Sequence, residues 1–486
     1  MTLEEPPATV RFPHRSRRGV LLGLTWPQLI VAATIGILLL ATMLTLGLLT
    51  ALKLIPLWAV LAALVIVRHR GRSLAEWAPI AGRYARRRAR GQLVWLARPA
   101  SRPRRDGVLH LPGTAASVRV VTAPGGELAA VHDPHAATLT AVVRVASRAF
   151  ALLDPATQNH NVHGWGRVLA SMARTGQIAR VQVLERTVPS SGDALQRYWA
   201  ENGNPDAPFA ADIYTDLLTA AGPAAAPHEA YVAVALDLTA ARRLINQAGG
   251  GLTGAFAVLA QLTTTFDQAA RPAGVIPNGW LTAQEIAAVV RTAYDPASLT
   301  ALDRWSDEGR AQAEPAAAGP VVVVEEADRI RTDTAFHATF WIENWPRTET
   351  HSGFLHQLLF TSGVRRTLSL VYTPQGLESA LRDVQRRKAT VIADANERIR
   401  KGQVDSESDS VEYADIKQRE RELIAGHADV ALTGLVTVSA ETSKDLDAAC
   451  AQIETAAVAA LVDLRRLTWQ QGEAFTTAAL PLALAA

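Results

Sequence analysis

The sequence predicts an α+β protein: an N-terminal transmembrane helical hairpin followed by two ferredoxin-like α+β cytosolic halves. Three observations carry that prediction. Leu21 to Val67 is a 47-residue apolar stretch whose single ionisable side chain is Lys53. Through residues 107–486, short β-branched runs alternate with segments of helical period. The order of those runs repeats when Thr138 is aligned with Thr334.

A helix needs about 20 apolar residues to cross the hydrocarbon core, so residues 21–70 accommodate two crossings. The turn is predicted within Thr45 to Pro56, where Gly47 and Pro56 loosen the helix and Lys53 needs water or headgroups. Trp26 and Trp58 are amphipathic rings suited to the membrane interface. A signal peptide has a shorter apolar core and a small-residue cleavage site, and nothing after Thr50 has that pattern. Soluble core helices are rarely charge-free all the way round for so long.

The flanks orient the hairpin. Arg11, Arg15, Arg17 and Arg18 precede it, and Arg68, Arg70, Arg72, Arg83, Arg86, Arg87, Arg88 and Arg90 follow it, whereas the turn carries Lys53 alone. Basic residues stay on the cytoplasmic side, so both termini, including the tail 1–20, are expected in the cytoplasm of a two-helix cell-membrane protein. Residues 71–106 read as a basic juxtamembrane helix and a linker. Leu74, Trp77, Ile80, Ala81 and Tyr84 recur at helical spacing, which predicts a helix lying in the headgroup region with Trp77 on its apolar face. Inner-membrane lipid is the partner expected for this region.

The rest of the chain follows in order. Strands are predicted at 117–122, 127–132 and 138–145, then helix 155–174, strand 178–186, helix 192–221, strand 229–236, and helices 252–270 and 282–294. Thr282 is the expected cap of the last helix. The Ala-, Pro- and acid-rich segment 296–319 separates a first domain, 107–310, from a second, 320–486. The second repeats the order: strands 321–324 and 334–342, helix 351–360, strand 367–373, helix 376–401, a polar break at 402–410, helix 413–425, strand 430–439, helix 443–464 and strand 466–469.

Charge and composition bound the function. Residues 1–105 hold 17 Lys+Arg against 3 Asp+Glu, and the remainder holds 32 against 43. The basic part is membrane-proximal and is attracted to anionic lipid; nucleic-acid binding would need a groove or a stacking platform that Tyr84 to Arg90 does not supply. The single cysteine, Cys450, lies in the apolar pattern of a helix and reads as a core residue. No G-x-x-x-x-G-K-[ST] occurs. Gly249 to Gly254 lacks the lysine, and the strand Val321 to Asp328 delivers a carboxylate with no phosphate loop to accompany it. His132 with His135 and His160 with His163 are pairs at ligand spacing, but neither pair alone makes a metal site. No G-x-S-x-G elbow is present. The expectation is a non-catalytic protein without cofactor or metal.

The C-terminal segment, Arg465-Arg-Leu-Thr-Trp-Gln-Gln-Gly-Glu-Ala-Phe-Thr-Thr-Ala-Ala-Leu-Pro-Leu482 after a long helix, resembles the end of the N-terminal domain of TraC/TrbE-type conjugation and type IV secretion ATPases. Gln418 to His427 and the strand after it are similar to the preceding helix and strand of that family. The hairpin resembles the small PrgI-like two-helix membrane subunits, and the whole is similar to actinobacterial SCO-type membrane proteins of secretion gene clusters; 44 Arg against 5 Lys suits a GC-rich genome. The phosphate loop that the family would begin after this segment is not in the sequence. The resemblance implies a structural or adaptor subunit of a secretion or conjugation machine, oligomeric with other membrane subunits and anchoring an ATPase supplied in trans. Phe475, Leu480 and Leu482 would then be its docking anchors. The type VII secretion component EccE, with two N-terminal membrane helices and a cytosolic α+β domain, is also similar, in segments such as Trp280 to Arg291. An enzyme acting on a lipid or nucleotide at the membrane face is the reading from a different class.

Overall fold

The computed structural model describes residues 9–10, 12, 26–47, 53–69, 72–97, 107–126, 128–147, 150–188, 199–203, 208–221, 227–299, 301–302, 313–346, 348–400, 407–424 and 428–485. Within them the chain is a mixed α/β protein with one large antiparallel sheet and one long apolar helix near the N-terminus. It divides into two compact units, 13–94 with 468–470, and 1–12 with 95–467 and 471–486.

In chain order the strands are β1 (Thr9–Val10), β2 (Arg68–His69), β3 (Arg72–Ser73), β4 (Val94–Leu96), β5 (Arg119–Thr122), β6 (Ala129–Asp133), β7 (Thr138–Ser147), β8 (Ile178–Thr187), β9 (His228–Asp237), β10 (Val275–Trp280), β11 (Val322–Glu325), β12 (Ile330–Arg331), β13 (Phe336–Asn344), β14 (Thr350–His351), β15 (Arg365–Pro374), β16 (Val430–Ala440) and β17 (Asp463–Arg466). The α-helices are α1 (Trp26–Leu46), α2 (Ile55–Ile66), α3 (Leu74–Ala89), α4 (Pro155–Arg174), α5 (Pro208–Ala221), α6 (Arg242–Gln247), α7 (Gly251–Ala270), α8 (Ala283–Tyr294), α9 (His356–Leu359), α10 (Leu377–Arg400), α11 (Glu407–Ile424), α12 (Ser443–Ala459) and α13 (Gln471–Ala479).

The smaller unit holds α1, α2 and α3. α1 carries no charge, and its threonines are satisfied by its own backbone: Thr34, Thr42 and Thr45 donate to the carbonyls of Ile30, Leu38 and Ala41 at 2.8, 2.5 and 2.7 Å. A helix removed from water requires that internal pairing. α1 stops before Gly47, which adopts φ +81°, and α2 opens at Ile55 with Pro56 in its first turn. The break therefore falls inside the predicted turn, of which residues 48–52 lie outside the described residues. The second expected crossing is short: α2 has 12 residues, about 18 Å of helix against a hydrocarbon core of about 30 Å. α3 begins at a Ser73 cap, whose Oγ accepts from the Glu76 amide at 3.4 Å, and packs on α1 and α2.

In the larger unit, thirteen strands among the described residues form one sheet in the order β4-β11-β12-β13-β16-β15-β8-β9-β7-β6-β5, with β10 also on β7 and β17 also on β13. The same arrangement occurs twice. β7 pairs β6 with its first residues and β10 with its last, and β13 pairs β12 and β17 in the same way. The two series meet at β8 and β15, in register from Arg186↔Thr367 to Val181↔Tyr372. On one face, α8 and α13 cover Leu184, Ala233 and Val323. On the other, α4 and α7 cover Val143, Val181 and Val232, and α12 covers Phe340, Val436 and Val438. α10 and α11 form a helical pair with a core of their own, Val384 and Val391 with Ile416 and Leu423.

Several expectations are corrected here. The segments 107–310 and 320–486, expected as separate domains, share one sheet and one compact unit, because β8 and β15 hydrogen-bond across the boundary. β10 and α13 were not predicted, helix 351–360 shrinks to the four residues of α9, and helix 443–464 ends at Ala459 so that β17 starts at Asp463. The polar break at 402–410 falls largely outside the described residues, with α11 already begun at Glu407.

The last described residues lie back across the seam. The fully buried Gln182 of β8 shares its amide between Ser369 Oγ at 2.8 Å and the carbonyls of Thr477 and Leu480 at 3.1 and 3.0 Å, and its Oε1 accepts from the Ala483 amide at 2.7 Å. Arg180 Nε donates to the Ala483 carbonyl at 2.8 Å. Replacing Gln182 by Ala removes these bonds from a buried site, and the expected cost is about 2–4 kcal/mol. Chemical denaturation of the detergent-solubilised chain checks it; an unchanged midpoint would mean that the C-terminal segment is not held through this amide.

Candidate membrane interface and polar clusters of the sheet

α1 is long and apolar enough to cross a membrane, and only 6% of its window Gln28–Thr45 is buried. A core helix of the same composition would be covered by protein. Ile30, Ile37, Leu38, Leu40 and Leu44 are exposed around it. The expected interface residues sort unevenly. The side chains of Trp26, Arg68 and Arg72, and Arg70 as a whole, lie outside the described residues. Trp58 is half-buried on α2, with its indole N–H buried and without a hydrogen-bond partner. Arg86 and Arg88 are exposed and Arg87 is half-buried.

Trp77 corrects the expectation for α3. It is 6% exposed and meets Trp469 edge-on, with ring centroids 5.5 Å apart; Ile80 beside it is also buried. The apolar face of α3 is therefore covered by protein within its own unit, not free to enter headgroups. Trp469 adopts φ +63°, an uncommon backbone for an aromatic residue.

Phe475, Leu480 and Leu482 are corrected as well. They are 1%, 0% and 1% exposed, in the core shared by β5, β6, β9 and α8. Phe475 packs on Tyr294 and on His337, ring centroids 5.0 and 4.5 Å away. The apolar anchors pictured as a docking element are interior residues of this chain.

Chemistry-bearing side chains gather in clusters on the sheet. Arg186 binds Glu229 Oε2 at 2.7 Å and donates to Val289 O and Thr292 Oγ1, while Tyr231 donates to the same Glu229 oxygen at 2.8 Å. The Arg186 guanidinium holds the Glu229 carboxyl below its ordinary range against the opposing effect of burial. Every member is paired, as a buried ionic cluster requires. A second cluster lies on the opposite face at the β8–β15 seam. There Glu185 pairs with His228, and the 2% exposed Arg366 donates Nη1 to the carbonyls of Thr361 and Val364 at 3.2 and 3.3 Å. Glu185 Oε2, Thr187 Oγ1 and Arg366 Nε and Nη2 are buried without partners. Burial raises the Glu185 carboxyl and lowers the Arg366 guanidinium.

The residues singled out by motif serve structure. Asp328 pairs with Arg329 and Arg466, and Arg329 reaches Asp447 and Ser443, tying the β11–β12 turn to α12. Gly249, Gly250 and Gly251 all take positive φ in the turn from α6 to α7, and at Gly254 a Cβ would stand 2.3 Å from the Ile245 carbonyl. His132 accepts from Arg119 at 3.2 Å and His160 bonds the Pro272 carbonyl at 3.2 Å. Among the described residues no three His, Cys, Asp or Glu are grouped to hold a metal. Cys450 is buried and burial pushes its thiol up to about 11. A cavity of about 420 Å³ is lined by Val120, Thr122, Leu252, Phe256, Ala283 and Pro315, with no ionisable side chain.

His337 was not anticipated. It is wholly buried on β13, with Nε2 bonded to Thr332 Oγ1 at 2.9 Å and Nδ1 to Ser439 Oγ at 2.8 Å. Burial, with a smaller contribution from Arg365, lowers its pKa to about 3. The unfolded imidazole titrates near 6.5, so His337 stabilises the fold fully above that value, and the contribution is lost as pH falls from about 6.5 toward 3. Within that window the folding constant is expected to drop about tenfold per pH unit from this residue alone. Denaturation midpoints between pH 7 and pH 4 check it: His337→Gln should flatten the slope by about one proton, and an unaltered slope would mean that the imidazole is not held neutral.

A family model described as a domain of unknown function, DUF8461, matches residues 17–76. That match takes in α1, α2, the β2–β3 ribbon and the first residues of α3. No curated protein matches the chain.

Proposed function

We propose that this chain is a membrane-anchored, non-catalytic structural subunit of a type IV secretion or conjugation-like machine, holding a separate ATPase at the cytoplasmic face. The observation that carries the anchoring is α1, a charge-free helix of 21 residues that the protein leaves uncovered. The side-by-side packing of α1 and α2 supports reading them as a hairpin, with the short α2 reaching only part of the way unless the bilayer thins around it. The arginine excess on both flanks supports cytoplasmic termini.

The sheet supports a scaffold. Its series β10-β7-β9-β8 and β17-β13-β16-β15 each carry a helix after their first and third strands in sequence, which favours two ferredoxin-like βαββαβ halves, with α5 and the α10–α11 pair inserted between the second and third strands. Its Arg186–Glu229–Tyr231 cluster is engaged in holding strands and a helix together. The secretion role itself rests on the resemblance of residues 465–482 and of the hairpin.

Two measurements test the proposal. Carbonate-washed membranes should retain the chain, and its release into the supernatant would refute the anchor. Purification in mild detergent should bring down a secretion- or conjugation-type ATPase in near-stoichiometric amount; a chain that stays in the membrane and recovers no such ATPase would refute the adaptor role.

A further inference from the structure

The two faces of α3 point to a lipid contact of a different kind from the one its hydropathy suggests. At 100° per residue, Arg83, Arg86, Arg87 and Arg90 stand at i, i+3, i+4 and i+7, on one stripe about 100° wide along the last two turns. The face carrying Trp77 and Ile80 lies about 100° round the helix and is closed by protein, Trp469 covering Trp77. Arg83, Arg86 and Arg90 are exposed, and no described acidic residue lies in ion-pair range of them. Like charges at these spacings destabilise a helix by themselves. The helix dipole offsets this at the C-terminal turn, where Arg86, Arg87 and Arg88 sit, but not at Arg83.

What commits the stripe to one occupant is its mounting. α3 packs on α1 and α2 within one compact unit, so the arginines are carried on the helix that abuts the membrane-crossing one. We infer that the exposed residues of this stripe, Arg83, Arg86 and Arg90, bind the phosphate headgroups of anionic phospholipid, and that α3 meets the membrane by charge and not by insertion of its apolar face. This rests on the membrane anchoring proposed above. Three guanidinium groups along about 10 Å of helix match a surface of anionic headgroups, each with donors for phosphate oxygens. Insertion would need Trp77 and Ile80, which are already packed.

The full chain, purified in a neutral maltoside detergent, is titrated with phosphatidylglycerol or with phosphatidylcholine of the same acyl chains, and bound lipid is counted by native mass spectrometry. The wild type should prefer phosphatidylglycerol at least tenfold, and raising NaCl from 50 to 500 mM should erase most of the preference. The triple Arg→Gln variant at Arg83, Arg86 and Arg90 should lose it, and the triple Arg→Lys variant should keep most of it, with circular dichroism unchanged in both. Equal retention of the two lipids by the wild type, or a preference that survives Arg→Gln, overturns the stripe while leaving the anchor standing. A chain that needs no detergent and retains neither lipid overturns the anchor itself. Duplex DNA that displaces phosphatidylglycerol at equimolar phosphate overturns the assignment of the stripe to lipid, since the stripe would then favour nucleic acid.

Discussion

The ladder between β8 and β15 is the constraint on which the larger unit depends. Each series of strands taken alone would end in an open edge, a row of unpaired amides and carbonyls that invites pairing with another chain. Joining edge to edge over Val181–Arg186 and Thr367–Tyr372 removes both edges at once. It also sets which residues must be small or polar at the join. Gln182 and Ser369 are buried there and bond each other, and Gln182 reaches on to Thr477 of α13 and Leu480 beyond it. Leu480 and Leu482 thereby fill a core whose other walls come from β5, β6 and α8 in the opposite series. Residues 480–484 complete a core that includes Leu109, about 370 residues earlier, so the two series share one compact body and are not domains on a linker.

This placement explains what was and was not legible in the sequence. α1 was legible because a charge-free run of that length has few soluble uses. α8 was legible because Thr282 and Glu285 form a capping box, a local signal that needs no tertiary context. β10 was missed because Pro277 and Gly279 interrupt it; the register shifts between Pro277 and Trp280, and pairing with β7 holds a segment whose own propensity argues against a strand. α13 and its extension were legible as apolar, but Phe475, Leu480 and Leu482 look the same whether they face a partner or their own sheet. The buried amide that decides between those outcomes, Gln182, is nearly 300 residues away in sequence.

The polar clusters divide along the same seam. On one face, Arg186, Glu229 and Tyr231 satisfy one another and fix α8 to the sheet, a register device more than a source of net stability, since buried ion pairs roughly break even against apolar packing. On the other face, Glu185 and Arg366 come from the two different series and each keeps a buried atom without a partner. Such groups are expensive to bury. Their location at the join, and not in a cleft within either series, makes them sensitive to how the halves meet; the cavity elsewhere in the unit, beside Phe256 and Leu252, has no ionisable group to work with.

The same distinction between partner and own core applies to α3, where charge bears on what hydropathy alone does not separate. An amphipathic helix beside a membrane span has two ways to use its apolar face, and periodicity reads alike for both. Once Trp469 covers Trp77, the apolar face is accounted for within the protein. The exposed arginines on the remaining surface, Arg83, Arg86 and Arg90, are not accounted for by burial, and the like charges of Arg83 and Arg86, at i and i+3, oppose the helix that carries them. A repulsion between Arg83 and Arg86, on a helix packed against one long and apolar enough to cross a membrane, is what the phosphate headgroups proposed above would relieve.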